Sequence, residues 1–473
     1  MKTKPTEDTL ARLAAIVGGK NAISDIAAMD SYMQEWRQIW HGRSPLVLRP
    51  GSTDEISRIL AVANETGTAI VPQSGNTGLC GGQTATDDGS EVLLSLDRMT
   101  RIIDADPNDN TITVEAGAIL KSVQDAALAV DRLFPLSLAS EGSCRIGGNL
   151  STNAGGLNVI AYGNARDLCL GLEVVLADGR IWNGLKRLRK DNTGYDLRNI
   201  FIGAEGTLGI ITAAVMKLYP RPRNHETAFI AVADPQAAVD LLSLTKAKCG
   251  NRVVAFEIIA DLALQFTIRH MGTRNPLFGF SPWYVLTELA DPAQGTMETL
   301  LAAAMEKGLV NDAALAQSEA QRAELWALRE LISESQKHEG GSIKHDISVP
   351  VSKVPQFLVE ADAAVTRFMP GTRFVSFGHL GDGNIHYNVS QPIGMDKTFY
   401  LDQWDAMNDV VFEVVMKLGG SISAEHGIGR LKVKHMPHIK SLVEYELMRG
   451  LKRMFDPKNI LSPGRVLPER TGH

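Results

Sequence analysis

The chain has 473 residues, of which 44% are hydrophobic and 22% are charged. This balance excludes a disordered tail, a collagen and a coiled coil, and at about 150 residues per domain the length predicts two to four domains. Lys and Arg number 48 against 54 Asp and Glu, a net charge of −6, which argues against a dedicated nucleic-acid binder. No apolar run approaches the roughly 18 residues of a membrane span.

The N-terminus and the cysteines bear on the compartment. Residues 1–19 read as a helix with charges where a signal peptide has its apolar core, so we expect no targeting segment and a cytoplasmic protein; the start of a mature chain is the alternative. The cysteines show no CxxC spacing and are too few for a disulfide framework, which favours buried thiols in a reducing compartment. They are Cys80, Cys144, Cys169 and Cys249.

Strands and helices alternate between residues 45 and 222. Ser52 to Glu55 have capping-box spacing before a helical run. Apolar residues at helical spacing predict helices, strict alternation predicts strands, and Asp178-Gly179 is a hairpin turn signal. The predicted elements are helix 56–67, strand 69–73, strand 111–117, helix 118–130, hairpin 170–182 and strand region 208–220.

The pattern changes after about residue 225. Strands predicted at 227–233, 252–260 and 282–290 are separated by helical stretches, which indicates an α+β unit with one antiparallel sheet. The last stretch is too short for a domain and is expected to pack back on the first one. The predicted domains are an N-terminal domain 1–222, a second domain 223–440 and a C-terminal segment 441–473.

Three glycine-rich loops dominate the N-terminal half, at 72–83, 140–156 and 188–212. Successive backbone N–H groups in such loops form a concave anion site. The first loop is neither GxGxxG entering a helix nor a Walker loop, because no Lys-Ser/Thr follows it. The three loops together predict a large nucleotide ligand.

These loops resemble the flavin-binding domain of the vanillyl-alcohol oxidase / p-cresol methylhydroxylase superfamily. The closer resemblance is to FAD-linked D-2-hydroxyacid dehydrogenases, above all the D-2-hydroxyglutarate dehydrogenase branch. It implies an α+β chain, with a two-part FAD-binding domain and an antiparallel-sheet cap domain for substrate. The FAD-contacting residues that it implies are Pro72, Gly75, Asn76, Thr77, Gly78, Leu79, Pro135, Gly142, Gly147, Gly148, Asn149, Thr152, Asn153, Gly156, Glu205, Gly206 and Ile211.

The mode of FAD attachment follows from the histidine positions. Some members of the superfamily link FAD covalently to a loop histidine. No histidine lies between residues 42 and 224, so we predict non-covalent FAD, with a cysteinyl link through Cys80 or Cys144 as the lesser alternative.

Two histidines lie in a glycine-rich string, FGHLGDGNIHYNV, at 377–389. If Asp382-Gly383 forms a two-residue type I′ turn, His379 lies opposite His386. Directly opposed residues have Cβ atoms about 4.5–5.5 Å apart, close enough for two imidazoles to share one metal ion. The alternative is a histidine pair in a hairpin without a metal.

The string SAEHGIGR at 423–430 supplies a carboxylate, Glu425, and a further histidine. Two histidines and one carboxylate leave positions open for substrate, as in catalytic zinc sites. The resemblance implies that His379, His386 and Glu425 hold a divalent metal. Zinc is the first expectation, with manganese, iron or cobalt open. The resemblance also makes His426 the general base, a role that suits an imidazole titrating near neutral pH.

A substrate carboxylate needs cations and donors. Arg329 and Ser333 are four residues apart, which predicts one helical face, and Lys344 follows on a strand. The resemblance assigns these three residues and Asn388 to substrate binding. Members of that branch commonly have Thr where this chain has Ser333, a difference expected to loosen the choice of substrate.

The activity implied is oxidation of a D-2-hydroxy acid, D-2-hydroxyglutarate first and D-malate next, to the 2-oxo acid by hydride transfer to flavin N5. D-lactate or glycolate oxidation is the alternative in the same class. Transferase chemistry of the alkylglycerone-phosphate synthase type and a non-catalytic flavin module are the other two. The resemblance also implies a quinone or electron-transfer flavoprotein as acceptor, with contact to a membrane through that acceptor, and a homodimer.

Overall fold

The computed structural model describes residues 4–469; residues 1–3 and 470–473, at the ends of the first and last predicted domains, lie outside the described part. The chain divides into two compact units. The first contains residues up to 154, residues 164–221 and residues from 425 onward. The second contains residues 155–163 and 222–424.

Eighteen strands lie in the described residues. In chain order they are β1 (Ala22–Ile23), β2 (Val47–Leu48), β3 (Ala69–Gln73), β4 (Glu91–Ser95), β5 (Ile102–Asp106), β6 (Thr111–Glu115), β7 (Arg132–Leu133), β8 (Cys169–Val175), β9 (Ile181–Gly184), β10 (Ile210–Lys217), β11 (Tyr219–Pro220), β12 (His225–Val232), β13 (Val253–Ala260), β14 (Trp283–Ala290), β15 (Asp312–Leu315), β16 (Ser342–Ser348), β17 (Arg373–His379) and β18 (Asn384–Ser390).

The α-helices of residues 4–469 are α1 (Glu7–Val17), α2 (Ile26–Met33), α3 (Thr53–Thr66), α4 (Leu120–Ala129), α5 (Ile146–Ser151), α6 (Val159–Tyr162), α7 (Ala165–Leu168), α8 (Arg198–Phe201), α9 (Pro235–Cys249), α10 (Asp261–Met271), α11 (Thr296–Glu306), α12 (Glu319–Glu330), α13 (Ile332–Ser335), α14 (Val354–Phe368), α15 (Lys397–Leu401), α16 (Trp404–Lys417), α17 (Met436–Ile439) and α18 (Leu442–Phe455). Within that part of the chain, each helix is too short or too polar to span a bilayer.

The first unit contains a four-stranded sheet of order β1-β2-β4-β3, with β4 parallel to both neighbours. The predicted helix before β3 is confirmed as α3. Ser52 accepts from Glu55 N at its start, and Gly67 ends it in the left-handed conformation. β4 is buried along its whole length, as expected of a strand inside a parallel sheet.

Residues near the C-terminus complete this sheet. Leu461 bridges β3 beside Ile70, and Ser462 N donates to the Ile70 carbonyl at 2.9 Å. Arg465 binds the buried Glu91 of β4, with Nη2 at 2.8 Å from Oε2. Residues 461–465 therefore belong to the core of the first unit.

A second sheet of the first unit is antiparallel, in the order β5-β6-β10-β8-β9. β6, β8 and β10 are almost wholly buried. The predicted strands in 111–117 and 208–220 and the hairpin at 170–182 are confirmed. All four cysteines are buried, as predicted.

The second unit is built on one seven-stranded sheet of order β15-β12-β14-β13-β17-β18-β16, antiparallel throughout. This confirms the predicted antiparallel sheet. A cluster of buried apolar residues joins β12, β13, β14 and β17 to α10 and α12. The helices thereby cover one face of the sheet at its centre.

The units differ from the predicted domains in two places. Residues 155–163, which follow the second glycine loop, belong to the second unit, because α6 packs against β13 and Leu157 joins the apolar cluster. Residues 425–440 belong to the first unit. The reason is that the backbone N–H groups of Ile428 and Gly429 donate to the side chain of Glu205, a residue of the first unit.

Candidate functional site

The three glycine-rich loops converge in the first unit. A Cβ on Gly75 would lie 2.6 Å from the Ser143 carbonyl oxygen, and a Cβ on Gly206 would lie 2.6 Å from Pro72 Cγ. These approaches require glycine, and Gly206 also has a positive φ of 71°. The first loop thus contacts the second at Gly75 and the third at Pro72.

Further predicted FAD residues shape the same loops. Gly147 and Gly148 open α5, where Gly147 N donates to the Ala116 carbonyl at 2.7 Å. Asn153 Oδ1 accepts from Arg166 N, in the first turn of α7, at 2.9 Å. Asn76, at a φ of 53°, donates through Nδ2 to the Gln34 carbonyl at 2.8 Å.

The other predicted FAD residues differ in burial and in the unit to which they belong. Ile211 is a buried residue of β10, paired with Val174. Gly142 is exposed, and a Cβ there would meet no atom within 4 Å. Gly156 belongs to the second unit. The rest lie partly or fully buried in the first unit: Thr77, Gly78, Leu79, Pro135, Asn149 and Thr152.

Glu205, predicted to lie beside FAD, binds protein backbone. Its Oε1 accepts from Ile428 N at 2.7 Å and its Oε2 from Gly429 N at 2.8 Å. Burial raises the pKa of Glu205, although these two N–H groups favour the ionised form. Both oxygens therefore hold the backbone that follows Glu425 and His426, two partly buried loop residues.

In the second unit, a single sheet face gathers chemically active side chains. His379 pairs with Asn384 and Phe377 with His386, so the predicted opposition of His379 and His386 is wrong. The turn between β17 and β18 spans four residues, 380–383, in place of two. The histidines are nevertheless diagonal neighbours on one face, with ring centroids 5.4 Å apart. The predicted proximity of the two rings is confirmed.

Glu257 of β13 lies directly opposite His379 on that face. Its Oε1 is 2.8 Å from His379 Nδ1, and Arg329 Nε donates to its Oε2 at 2.7 Å. Burial alone would raise the pKa of Glu257, but the charges of His379 and Arg329 and their hydrogen bonds lower it to about 2. Arg329 also stacks over Phe377, with its Cζ 4.7 Å from the ring centroid.

Asp346 of β16 lies opposite His386, with Oδ1 3.9 Å from His386 Nδ1. The backbone of residues 421–424 runs beside β16, and Ala424 N donates to the Asp346 carbonyl at 3.2 Å. Glu425 follows by one peptide bond, which places its Cα about 3.8 Å from that of Ala424.

The predicted substrate residues fall into two environments. Lys344 and Asn388 are a directly opposed pair of β16 and β18, on the same face as the two histidines. Asn388 Nδ2 donates to the buried Gln336 at 3.1 Å. Arg329 is 7% exposed at the end of α12, whereas Ser333 is exposed on α13. The predicted shared helical face is therefore wrong, since the helix is interrupted at Leu331.

Sequence reasoning missed Glu257, Asp346 and Gln336. Glu257 had a signal, since it is the one charged residue in the apolar run VVAFEIIA. A buried charge in a strand needs a partner, and such a residue marks a site. Asp346 is two residues after Lys344 and so points to the same face of its strand. Gln336 gave no signal.

Two family models match the chain. A model described as an FAD binding domain matches residues 44–184. A model described as FAD linked oxidases, C-terminal domain, matches residues 221–466. The first match includes the first two glycine loops, and the second includes the sheet face of His379 and His386, whereas the third glycine loop lies between the two matches.

Curated proteins match over almost the full chain. A D-2-hydroxyglutarate dehydrogenase of Xanthomonas citri pv. viticola is 36% identical over 464 residues, 98% of this chain and 97% of that protein. A mitochondrial D-2-hydroxyglutarate dehydrogenase of Danio rerio is 36% identical over 473 residues, 99% of this chain and 86% of that protein. The Arabidopsis thaliana mitochondrial protein of the same name is 37% identical over 458 residues, 96% of this chain and 80% of that protein.

Solved structures share the fold at low identity. A p-cresol methylhydroxylase with substrate bound aligns with a TM-score of 0.78 at 17% identity, covering 98% of this chain and 97% of its own. An alkyldihydroxyacetonephosphate synthase aligns with a TM-score of 0.73 at 16% identity, covering 98% and 86%. The predicted two-part FAD-binding fold with a cap domain is thereby confirmed.

Proposed function

Because the chain belongs to the family of D-2-hydroxyglutarate dehydrogenases, within the FAD-linked oxidases, we propose that it oxidises D-2-hydroxyglutarate to the 2-oxo acid with FAD as the oxidant. The geometric observation that carries this proposal is the sheet face of β13, β17, β18 and β16. It places His379 and His386 beside the cation Lys344 and the donor Asn388. Such a face suits an acid with both a hydroxyl group and carboxylates.

We propose that FAD binds without a covalent bond in the first unit. The converging glycine loops support binding in this unit, because a Cβ at residue 75 or 206 would collide with the Ser143 carbonyl or the Pro72 ring. The lack of a histidine between residues 42 and 224 supports the non-covalent mode. FAD supplies the acceptor for the hydride that leaves C2 of the substrate.

A divalent metal, zinc first, with manganese, iron or cobalt as alternatives, is proposed for His379, His386 and Glu425. The donor set fits such an ion, because Glu257 binds Nδ1 of His379 and so orients the ring to coordinate through Nε2. A metal bound there would lower the pKa of the substrate hydroxyl.

The remaining steps are assigned to side chains. His426 would accept the proton of the C2 hydroxyl as the O–H bond breaks. The C2–H bond would break with its hydride going to FAD, and the electron pair left on oxygen would form the second bond of the 2-oxo group. Lys344 and the terminal nitrogens of Arg329 bind a carboxylate, and Asn388 donates a hydrogen bond. Bidentate binding by Arg favours a carboxylate over a neutral group.

The acceptor, the assembly and the compartment are part of the same proposal. A quinone or an electron-transfer flavoprotein reoxidises FAD, and the protein acts as a homodimer in the cytoplasm. The acceptor and the homodimer come from the family resemblance, and the compartment comes from the charges of residues 1–19 and the cysteine usage.

The test is flavin absorbance of the purified holoprotein under anaerobic conditions, on adding D-2-hydroxyglutarate, D-malate, D-lactate or glycolate, with and without chelator. We expect bleaching by the D-dicarboxylic acids and its loss after chelation. Bleaching by D-lactate alone would change the substrate and keep the chemistry. No bleaching by any acid would reject the proposed oxidation.

A further inference from the structure

One buried carboxylate connects two groups to which the proposed function gives different tasks. Glu257 is fully buried on β13, and each of its oxygens has a different partner. Oε1 is 2.8 Å from Nδ1 of His379, and Oε2 is 2.7 Å from Nε of Arg329. The first partner is a proposed metal ligand, and the second is a proposed carboxylate-binding residue.

We propose that Glu257 is a positioning residue that couples metal binding at His379 to substrate binding at Arg329. This inference rests on the proposed function and extends it to a residue that touches neither substrate nor metal. The coupling is geometric. A shift of the carboxylate toward one partner lengthens its hydrogen bond to the other, because both contacts are short and both partners are buried.

The contacts of Glu257 fix the orientation of the His379 ring and of the Arg329 guanidinium. A hydrogen bond to Nδ1 makes Nε2 the coordinating nitrogen of His379, as carboxylate–histidine pairs behind metal ions do. The Nε bond of Arg329, together with its stacking on Phe377, sets the plane of the guanidinium. Two terminal nitrogens in a fixed plane match the two oxygens of a carboxylate.

Phe377 connects the same residues by packing. Its ring centroid is 5.1 Å from that of His386, and the Arg329 guanidinium lies over the same Phe377 ring. Arg329 is thus linked to His379 through Glu257 and to His386 through Phe377.

Glu288 provides a matched control. It is a buried carboxylate on the neighbouring strand β14, and it binds Arg322 of the same helix α12 through two contacts of 2.7 Å. Trp326 and Thr227 complete its hydrogen bonds. It therefore reproduces a buried carboxylate paired with an arginine of α12, here a partly exposed one, without a proposed metal ligand among the partners.

The experiment compares Glu257→Gln with Glu288→Gln in the FAD-bound full-length protein. The first readout is the Kd for Zn²⁺ or Mn²⁺, measured by competition with a chromophoric chelator at fixed pH. The second is the KM for D-2-hydroxyglutarate at saturating metal. In Glu257→Gln we expect metal affinity to fall about 10- to 100-fold, KM to rise, and flavin content to stay at the wild-type level. Glu288→Gln should leave both readouts near wild type.

Several outcomes would overturn the inference. Equal metal affinity in Glu257→Gln and wild type would do so, as would a change in only one of the two readouts or equal losses in both variants. If Glu257→Gln does not fold, Glu257→Asp decides. It keeps the charge, but its shorter side chain cannot reach both partners, so the same two losses are expected. If wild-type protein bleaches with no hydroxy acid, the proposed function fails, and the metal comparison alone decides the role of Glu257.

Discussion

Replacing Glu205 with Gln separates two roles for this side chain. The family resemblance implies that Glu205 lies beside FAD, whereas the structure shows both of its oxygens bound to the amides of Ile428 and Gly429. Glutamine keeps one acceptor and turns an NH₂ group toward the other backbone N–H. One charge-assisted hydrogen bond is lost, which costs about 1.5–3 kcal/mol.

This free energy predicts the size of the effect. At 1.4 kcal/mol per tenfold, local opening of the segment after His426 should become about 10- to 150-fold more frequent. The proposed base would then be held less well, and a misplacement of about 1 Å can lower kcat about 100-fold. Glycine is required in this segment, since a Cβ on Gly427 would lie 2.8 Å from Glu205 Oε1.

The assay is hydrogen–deuterium exchange of a peptide spanning residues 425–430, combined with kcat and flavin content. We expect faster exchange, a lower kcat and full flavin content in Glu205→Gln. Asp456→Asn is the control, because Asp456 likewise holds two backbone amides, those of Ile460 and Leu461. It should speed exchange around 460 only. Loss of flavin with unchanged exchange at 425–430 would refute the reasoning and indicate that Glu205 binds the cofactor.

Three other perturbations test the fold around these sites. Burial raises the pKa of Asp362 to about 6, despite a hydrogen bond from Tyr387. The folded state therefore retains a proton that the unfolded chain releases, and stability should fall by up to about 3 kcal/mol as pH rises from about 4 to 6. Asp362→Asn should flatten this slope in urea unfolding, and an unchanged slope would contradict the assignment. Arg465→Met removes the cation paired with the buried Glu91 and should lower the unfolding free energy by about 3–5 kcal/mol. Breaking the exposed Arg12–Glu65 pair between α1 and α3 is the control and should change the urea midpoint little. Gly206→Ala forces a Cβ against a proline ring at positive φ, and flavin fluorescence should report about 10-fold weaker FAD binding or more; unaltered affinity would show that the third loop is not needed for FAD.

The strands and their faces were accessible from the sequence, because alternation and apolar runs record burial. The α+β change after residue 225, the strand that carries Lys344 and the closeness of His379 to His386 all follow from period-2 patterns. Diagonal neighbours on one face stay close even when the register moves by two residues. The proximity therefore survived an error in the turn.

The turn itself was not accessible, since an Asp-Gly pair fits both two-residue and wider loops. Gly383 has a φ of 85°, yet the loop includes Leu380 and Gly381, and Gly381 packs against Ile160, more than 200 residues earlier in the chain. Such a contact decides the loop width and leaves no local pattern. The same holds for Glu205, whose partners lie 223 and 224 residues away.

The interleaving of the two units has a consequence for synthesis on the ribosome. The first unit lacks Leu461 beside β3 and Arg465 beside Glu91 until the end of the chain emerges. At about 5–20 residues per second, the roughly 200 residues between its second and third segments take on the order of 10–40 s to translate. During that interval Glu91, which is buried in the complete unit, has yet to meet the guanidinium of Arg465. We expect a ribosome-stalled chain that ends at residue 424 to be cleaved by protease within residues 44–221, and release of the full chain to protect them.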